Sequence, residues 1–292
     1  MNMRFTRQEI LKRLGERIEA GSAILVSGAG TGLTAKFAEE GGADLIVVYN
    51  SGRFRMAGHA SAAGLLAYGD ANQIVKEMGA REILPVVEYT PVIAGVNGTD
   101  PMRQMEVLLC ELVELGYSGV INFPTVGVID GRFRMRLEHT NLGYDREIAL
   151  IRQAHAMDIF TCAYVFNPEE AYQMAAAGAD VIVAHLETTV GGSTGVAPDM
   201  VASLAEAPLL VQAIGESARA ANPESLLFCH GGPIATPEDA RYVIERTASV
   251  GFVGASSIER LPIEQAIVNT VKQFKQIRLP VRPSPDGGSA NV

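Results

Sequence analysis

The amino-acid sequence predicts an α/β fold: a (β/α)8 TIM barrel with an extra N-terminal helix, as one domain over residues 1–280. Three observations predict it. Eight short apolar runs recur at roughly 30-residue intervals. Each is apolar on both faces, as a strand buried inside a parallel sheet must be. A segment with helical spacing follows each run. An open doubly wound sheet is the rival, but it usually has fewer units and a clearer switch point in its strand order.

The leading helix is expected over residues 6–20, where Ile10, Leu11, Leu14 and Ile18 share one face. Thr6 is a suitable N-cap with Glu9 three residues on, and Gly21 ends the helix. The strands are expected at 23–27, 45–49, 83–87, 119–123, 160–164, 181–184, 226–229 and 251–255. Helical segments such as "PMRQMEVLLCELVELG", "GYDREIALIRQAHAM", "PEEAYQMAAAG" and "PIEQAIVNTVKQFKQI" lie between and after them. Pro, Ser or Thr often opens a helix, and Gly-Ala or Gly-Tyr commonly closes one before the next strand. The stretch 281–292 is rich in Pro, Gly and Ser, offers no packing face and is expected to be disordered.

Composition narrows the function. Of 292 residues, 48% are hydrophobic and 20% charged, ordinary for a globular protein, while the net charge is −9. General nucleic-acid binding needs a basic face and is not expected. A local basic cluster for a small anionic ligand is compatible with an acidic chain. Cys110, Cys162 and Cys229 have neither metal-ligand spacing nor disulfide density, which points to a reducing compartment. The N-terminal residues carry charges every few positions, and no apolar run approaches a membrane span. A cytoplasmic protein with no membrane or nucleic-acid partner is the expectation.

In a barrel, the loops at the carboxyl ends of the strands build the site. The residues that fall there are Ser27 and Gly28 after the first strand, Asn50 after the second and Glu88 after the third. Tyr164 and Asn167 follow the fifth, His185 and Glu187 the sixth, and His230, Gly231 and Gly232 the seventh. Ala255, Ser256 and Ser257 follow the eighth. Generic loop polarity accounts for Ser and Asn; it accounts less well for Glu88, His185 and His230 directly ending apolar strands.

The pentapeptide GRFRM occurs twice, at 52–56 and 131–135, after the second and fourth strands. With Arg136 it brings Arg53, Arg55, Arg132 and Arg134 to one rim, where arginine's planar fork suits carboxylate or phosphate. Anion binding by Arg53 and Arg55, packing of Phe54 and Phe133 in an oligomer contact, and solvated surface are the open readings of these loops; a homo-oligomer with at least one GRFRM loop at a subunit contact is expected. "CHGGPIATPEDA" places two glycines before a helix start and reads as an anion cradle completed by "GASSIERLP". "GAGTG" at 28–32 lacks the dinucleotide spacing and reads as a tight turn. "TTVGGSTG" reads as a flexible lid, and Cys229 as a core residue. Glu88 and Glu187 are candidates to hold a divalent metal or act as general acid and base, with His185 or His230 moving a proton.

"YNSGRFRMAGHASAAGLLAYGDAN", "FPTVGVIDGRFR", "CHGGPIATPEDA" and "GFVGASSIERLP" resemble the phosphoenolpyruvate hydrolase family, also called TIM-barrel signal transduction proteins, over about residues 5–279. The resemblance implies a barrel of the phosphoenolpyruvate/pyruvate superfamily, a small phosphonylated or phosphorylated 2-oxo acid as substrate, and Mg2+. It implies a hydrolase of phosphonopyruvate or phosphoenolpyruvate working through a pyruvate enolate. The family's domain also occurs as the C-terminal part of larger proteins. This sequence departs from better-known superfamily members in having no "KKCGH" and a basic loop after the second strand. Two other classes stay open: a metal-dependent C–C lyase of the aldolase type, and a barrel that senses a ligand or assembles without catalysis. Schiff-base chemistry is disfavoured, since no lysine ends an expected strand.

Overall fold

A computed structural model describes residues 4–280, so the expected disordered stretch 281–292 lies outside the described residues. Eight parallel strands close in sequence order into a barrel: β1 Ile24–Gly28, β2 Leu45–Val48, β3 Val92–Val96, β4 Gly119–Asn122, β5 Phe160–Val165, β6 Val181–His185, β7 Leu226–His230 and β8 Gly251–Gly254. The helices are α1 Arg7–Glu19, α2 Gly32–Glu40, α3 Asn50–Met56, α4 Ala71–Met78, α5 Met105–Leu115 and α6 Gly131–His139. They continue with α7 Tyr144–Ala156, α8 Pro168–Ala176, α9 Ala207–Ala221, α10 Pro237–Ile244 and α11 Leu261–Lys275. β1 pairs with both β2 and β8, which excludes an open sheet.

Strand alternation sorts the core. Ile24 and Val26, Leu45 and Val47, Val181 and Val183, and Phe228 point inward and pack together with Ile93, Ile121 and Phe160. α1 closes the bottom of this barrel: Ile10 and Leu14 are buried in the same cluster. The expected capping box forms, with the Thr6 side chain accepting from Glu9 N–H and the Glu9 carboxylate accepting from Thr6 N–H. The outward residues of the strands meet the helices in two further clusters, where Cys229 is fully buried as expected.

The third strand is not where the apolar pattern placed it. Residues 83–87 are the last residue of a π-helical turn, Gly79–Ile83, and its exit, and the strand is the next apolar run, Val92–Val96. Pro85 lies inside the first run and cannot donate to a sheet ladder, so the run without a proline enters the barrel. Ile83 and Val87 instead pack with Val75 and Met78 in the helix layer. Glu39 on α2 holds the connection, its carboxylate accepting from the backbone N–H groups of Glu88, Tyr89 and Thr90 at 2.9, 2.6 and 2.8 Å.

Both GRFRM copies fold as helix rather than loop, in α3 and at the start of α6. In α3, Gly52 lies against Gly30 of the β1–α2 turn so closely that a Cβ on either would collide with the other's backbone. This contact is what Gly30 of "GAGTG" serves, while Gly28 lies against Ala255 and Gly32 against the Glu82 carbonyl.

Candidate active site

The upper end of the barrel interior is a cleft whose floor is two tyrosines. Tyr49 directly follows β2 and Tyr164 lies in β5, each two residues beyond an inward-facing residue, and their hydroxyls meet at 2.6 Å. Burial pushes both phenols above their ordinary range, and their mutual contact adds to the rise at Tyr49. Over this floor stand His185 and His230, the last residues of β6 and β7, which are paired in register with ring centroids 4.6 Å apart. Tyr164 lies 4.9 Å from the first ring and 5.1 Å from the second.

Hydrogen bonding sets opposite tautomers on the two imidazoles. His230 Nδ1 lies 2.6 Å from the Val253 carbonyl oxygen, which can only accept, so this nitrogen carries the proton and Nε2 is a bare lone pair. His185 Nδ1 accepts from the Glu187 backbone N–H at 3.1 Å, so its proton is on Nε2. One ring therefore offers a proton acceptor and its neighbour a donor. Burial lowers both pKa values, that of His230 to about 4, and the charge of Arg55 adds to the effect there.

Arg55 is the cationic group of the cleft. It is 4% exposed and buries its charge against Glu259 of the π-helical turn Ser256–Arg260. Nε donates to Glu259 Oε1 at 2.7 Å, and Nη1 to Ser51 Oγ at 2.9 Å and Ser61 Oγ at 3.3 Å. Nη2 is fully buried and lies 2.6 Å from the same Glu259 oxygen, an ion-pair contact. The guanidinium lines the cleft beside His185 and His230. The other carboxylate oxygen of Glu259 accepts from Gly30 N–H at 2.7 Å, which ties β1, α3 and the eighth loop to one buried group. Asn50 beside it donates to the Gly64 carbonyl and leaves its own buried Oδ1 unpartnered. Ala255, Ser256 and Thr189 complete the walls.

The expected site residues divide accordingly. Arg55, His185, His230, Ala255 and Ser256 line one cleft. Glu88 does not: it precedes β3 instead of ending it, at the opposite end of the barrel, where Arg4 binds its carbonyl. Arg53 points outward to Glu77 and Glu82. Ser27, Gly28 and Ser257 line grooves on the outside of the strands. Gly231 and Gly232 have positive φ and sit against the Glu187 and Leu186 carbonyls, where a Cβ would not fit. The Gly232 N–H is already given to Glu187 O at 2.8 Å, so it is not free to cradle an anion. Glu187 stands exposed on the rim, at φ 77°, with its carboxyl pKa raised by local burial and by Asp130. The 188–195 segment is tied down by Val190 N–H to Gly232 O and Arg260 to Gly191 O.

The expected metal pair, Glu88 and Glu187, is thus split between opposite ends. Among the described residues, no group of three or more His, Cys, Asp or Glu side chains converges on a point that could hold an ion. The buried carboxylate next to the cleft, Glu259, is committed to Arg55 and Gly30, and β4 ends in a neutral carboxamide, Asn122. This donor set does not fit a protein-held Mg2+.

Sequence reasoning missed Tyr49 as a floor residue, Glu259 and Glu147. Glu147 on α7 is fully buried, accepting from Asn122 Nδ2 at 2.6 Å and Val126 N–H at 2.8 Å, and burial raises its pKa to about 7. A signal for the tyrosines existed, since each continues the inward parity of an apolar strand. Glu259 had none, because its partner is 204 residues away.

Glu147 and His230 make opposite contributions to stability against pH. His230 titrates lower in the folded chain, so its contribution is present above about pH 6.5 and is lost as pH falls through about 4. Glu147 titrates higher, so its contribution is present below about pH 4.3 and is lost as pH rises through about 7. Urea midpoints taken from pH 7 to 4 should fall more steeply toward acid in Glu147→Gln than in the parent, and less steeply in His230→Gln. Each variant should differ from the parent by on the order of 3 kcal/mol across the range. Parallel curves for all three proteins would contradict the assignment.

The family described as phosphoenolpyruvate hydrolase-like matches residues 9–277. The ToMV susceptible protein tm-1(GCR26) of Solanum lycopersicum is 54% identical over 271 residues, covering 92% of this chain and 36% of that protein. The chain therefore spans about a third of the length of that curated relative. Among solved structures, 2,3-dimethylmalate lyase, a PEP mutase/isocitrate lyase superfamily member, superposes with a TM-score of 0.58 at 15% identity, covering 97% of this chain and 92% of that one. A phosphonopyruvate hydrolase solved with oxalate and Mg2+ gives a TM-score of 0.55 at 18% identity, covering 93% and 92%. At these identities the structural likeness concerns the fold. No described helix is long and apolar enough to cross a membrane.

Proposed function

The chain belongs to the phosphoenolpyruvate hydrolase-like family, and from that premise we propose that it is an enzyme cleaving a bond to C3 of a small 2-oxo acid, with the enolate of pyruvate as leaving group. The observation that carries this reading is the pair of complementary tautomers, His230 with a bare Nε2 and His185 with Nε2–H, beside the guanidinium of Arg55. A substrate carboxylate sits against the Arg55 guanidinium where it lines the cleft. His230 Nε2 takes a proton from the attacking water, and His185 Nε2–H donates toward the enolate oxygen as negative charge develops there. For phosphonopyruvate, water attacks phosphorus, the C–P bond breaks and its electrons form the enolate. Protonation at carbon then gives pyruvate, and phosphate leaves. The pair of rings ends as it began.

The family premise favours C–P hydrolysis. One observation favours C–C cleavage of a 4-hydroxy-2-oxo acid instead: Arg55 is already neutralised by Glu259, and a cleft with little net charge suits a less charged substrate than a phosphonate. There His230 takes the hydroxyl proton and an aldehyde or ketone leaves. Phosphate release from phosphonopyruvate and phosphoenolpyruvate, measured beside pyruvate release from 4-hydroxy-2-oxo acids, separates the two. The assay is run with and without Mg2+ and after chelation. Turnover of one class is expected. Binding of oxalate or pyruvate without turnover of either class would make the barrel a sensor and end the enzymatic reading.

A further inference from the structure

The floor of the cleft holds one proton more than its own hydrogen bonds use. The hydroxyls of Tyr49 and Tyr164 lie 2.6 Å apart, and the two residues are 2% and 1% exposed. Two phenols carry two O–H donors, and the single contact between them consumes one. Among the described residues neither hydroxyl has a second hydrogen-bond partner, although both side chains line the cleft. Whichever ring donates to the other, one buried O–H is left without an acceptor in the chain. Its surroundings are aromatic: Phe123 packs edge-on against both rings, and His185 and His230 stand over Tyr164. An unmade hydrogen bond in such a place is costly, and an acceptor that enters the cleft removes the cost.

We propose that the phenol pair gives this spare proton to the 2-oxo oxygen of the substrate, and so makes the cleft select 2-oxo acids over carboxylic acids that lack that oxygen. The proposal rests on the 2-oxo acid reading of the cleft given above. Arg55 lines the same cleft and places the carboxylate, and the 2-oxo oxygen is on the very next carbon. From there it can accept one hydrogen bond from the phenols below and one from His185 Nε2–H above, one for each lone pair of a carbonyl oxygen. Both bonds strengthen as that oxygen gains charge when the bond to C3 breaks. Burial holds both phenols above their ordinary range, while the charge of Arg55 acts in the opposite direction. The phenols therefore stay neutral donors at working pH, and no proton is transferred at this oxygen.

The test compares pyruvate with propionate, which has the same carbon chain without the 2-oxo oxygen, by calorimetric titration. Oxalate serves as a third ligand, a planar dianion shaped like the enolate. The double variant Tyr49→Phe with Tyr164→Phe keeps both rings and removes both hydroxyls. Replacing both partners of a hydrogen bond by apolar groups of the same shape is nearly neutral for folding, and a urea midpoint checks that it is so here. The parent should bind pyruvate more tightly than propionate, and the double variant should lose about tenfold of that preference, the scale of one buried donor. Oxalate should lose at least as much. Each single variant should lose less than the double, because the hydroxyl that remains still carries a proton. An undiminished preference in the double variant would overturn the proposal, and so would a parent that binds pyruvate no better than propionate. If the parent shows the preference and the double variant loses it, while the parent turns over neither substrate class, the reading of the reaction falls and the role of the phenols stands. If the parent turns over substrate and the double variant matches its kcat, the reaction stands and the role of the phenols falls.

Discussion

Arg55→Ala is expected to abolish turnover and to destabilise the barrel by about 3–5 kcal/mol, the usual cost of leaving one partner of a buried ion pair uncompensated. The size of the effect follows from where the arginine sits. It and Glu259 are 4% and 2% exposed, and among the described residues Arg55 is the one cation paired with the Glu259 carboxylate, whose other oxygen accepts from the Gly30 N–H. The loss of stability and the loss of activity have different causes, and a second variant separates them. Arg55→Met with Glu259→Gln removes both charges, keeps an oxygen for the Gly30 N–H and fills the space. It should recover most of the stability, measured by urea unfolding, without recovering activity. If that double variant turns over substrate with kcat/KM within tenfold of the parent, Arg55 does not hold the ligand.

His230→Asn should lower kcat by about 10^2–10^4 with little change in KM, the range expected for loss of a positioned proton acceptor. The choice of asparagine is deliberate. Its Nδ2–H can still donate to the Val253 carbonyl, as His230 Nδ1 does, so the wall of the cleft is kept and only the basic Nε2 is lost. At the neighbouring position, His185→Gln places an N–H near the lost Nε2–H and should retain more activity than His185→Ala. The pH profile adds a second readout. In the free enzyme His230 titrates at about 4, so kcat/KM should fall as pH drops through that value. Arg55 contributes to the depression, and a bound carboxylate offsets its charge. The acid limb of kcat, which reports the complex, should therefore lie at higher pH than that of kcat/KM. Coincident limbs would mean that the ligand carboxylate is not next to Arg55.

Much of this architecture was legible in the sequence, and the places where it was not have physical reasons. The eight apolar runs gave the barrel, and seven of the eight strands fall where those runs lie. The third was displaced because two apolar runs, 83–87 and 92–96, compete for one place, and only the position of Pro85 separates them. That single displacement carried Glu88 to the wrong end and with it the expected metal pair. His185 and His230 were legible because a polar residue ending a buried strand has to face something. Arg55 and Arg53 were not separable, since both fall in one expected loop after the second strand and only the long-range partner Glu259 selects one of them. The glycines after β7 were visible as special, but the sequence could not say whether their freedom served an anion or the close approach of the Leu186–Glu187 backbone.

The repeated pentapeptide has a practical consequence for anyone diversifying this barrel. In both copies the fourth letter turns inward to a glutamate from another element, Arg55 to Glu259 and Arg134 to Glu170, while the second letter faces out. Arg53 reaches only surface carboxylates and Arg132 is exposed. Libraries randomised at 53 and 132 would therefore sample solubility at little cost to the scaffold, since surface ion pairs contribute about 0–1 kcal/mol. Libraries randomised at 55 would be depleted of folded clones before any new specificity could be screened. They become searchable only if position 259 is varied in the same oligonucleotide pool.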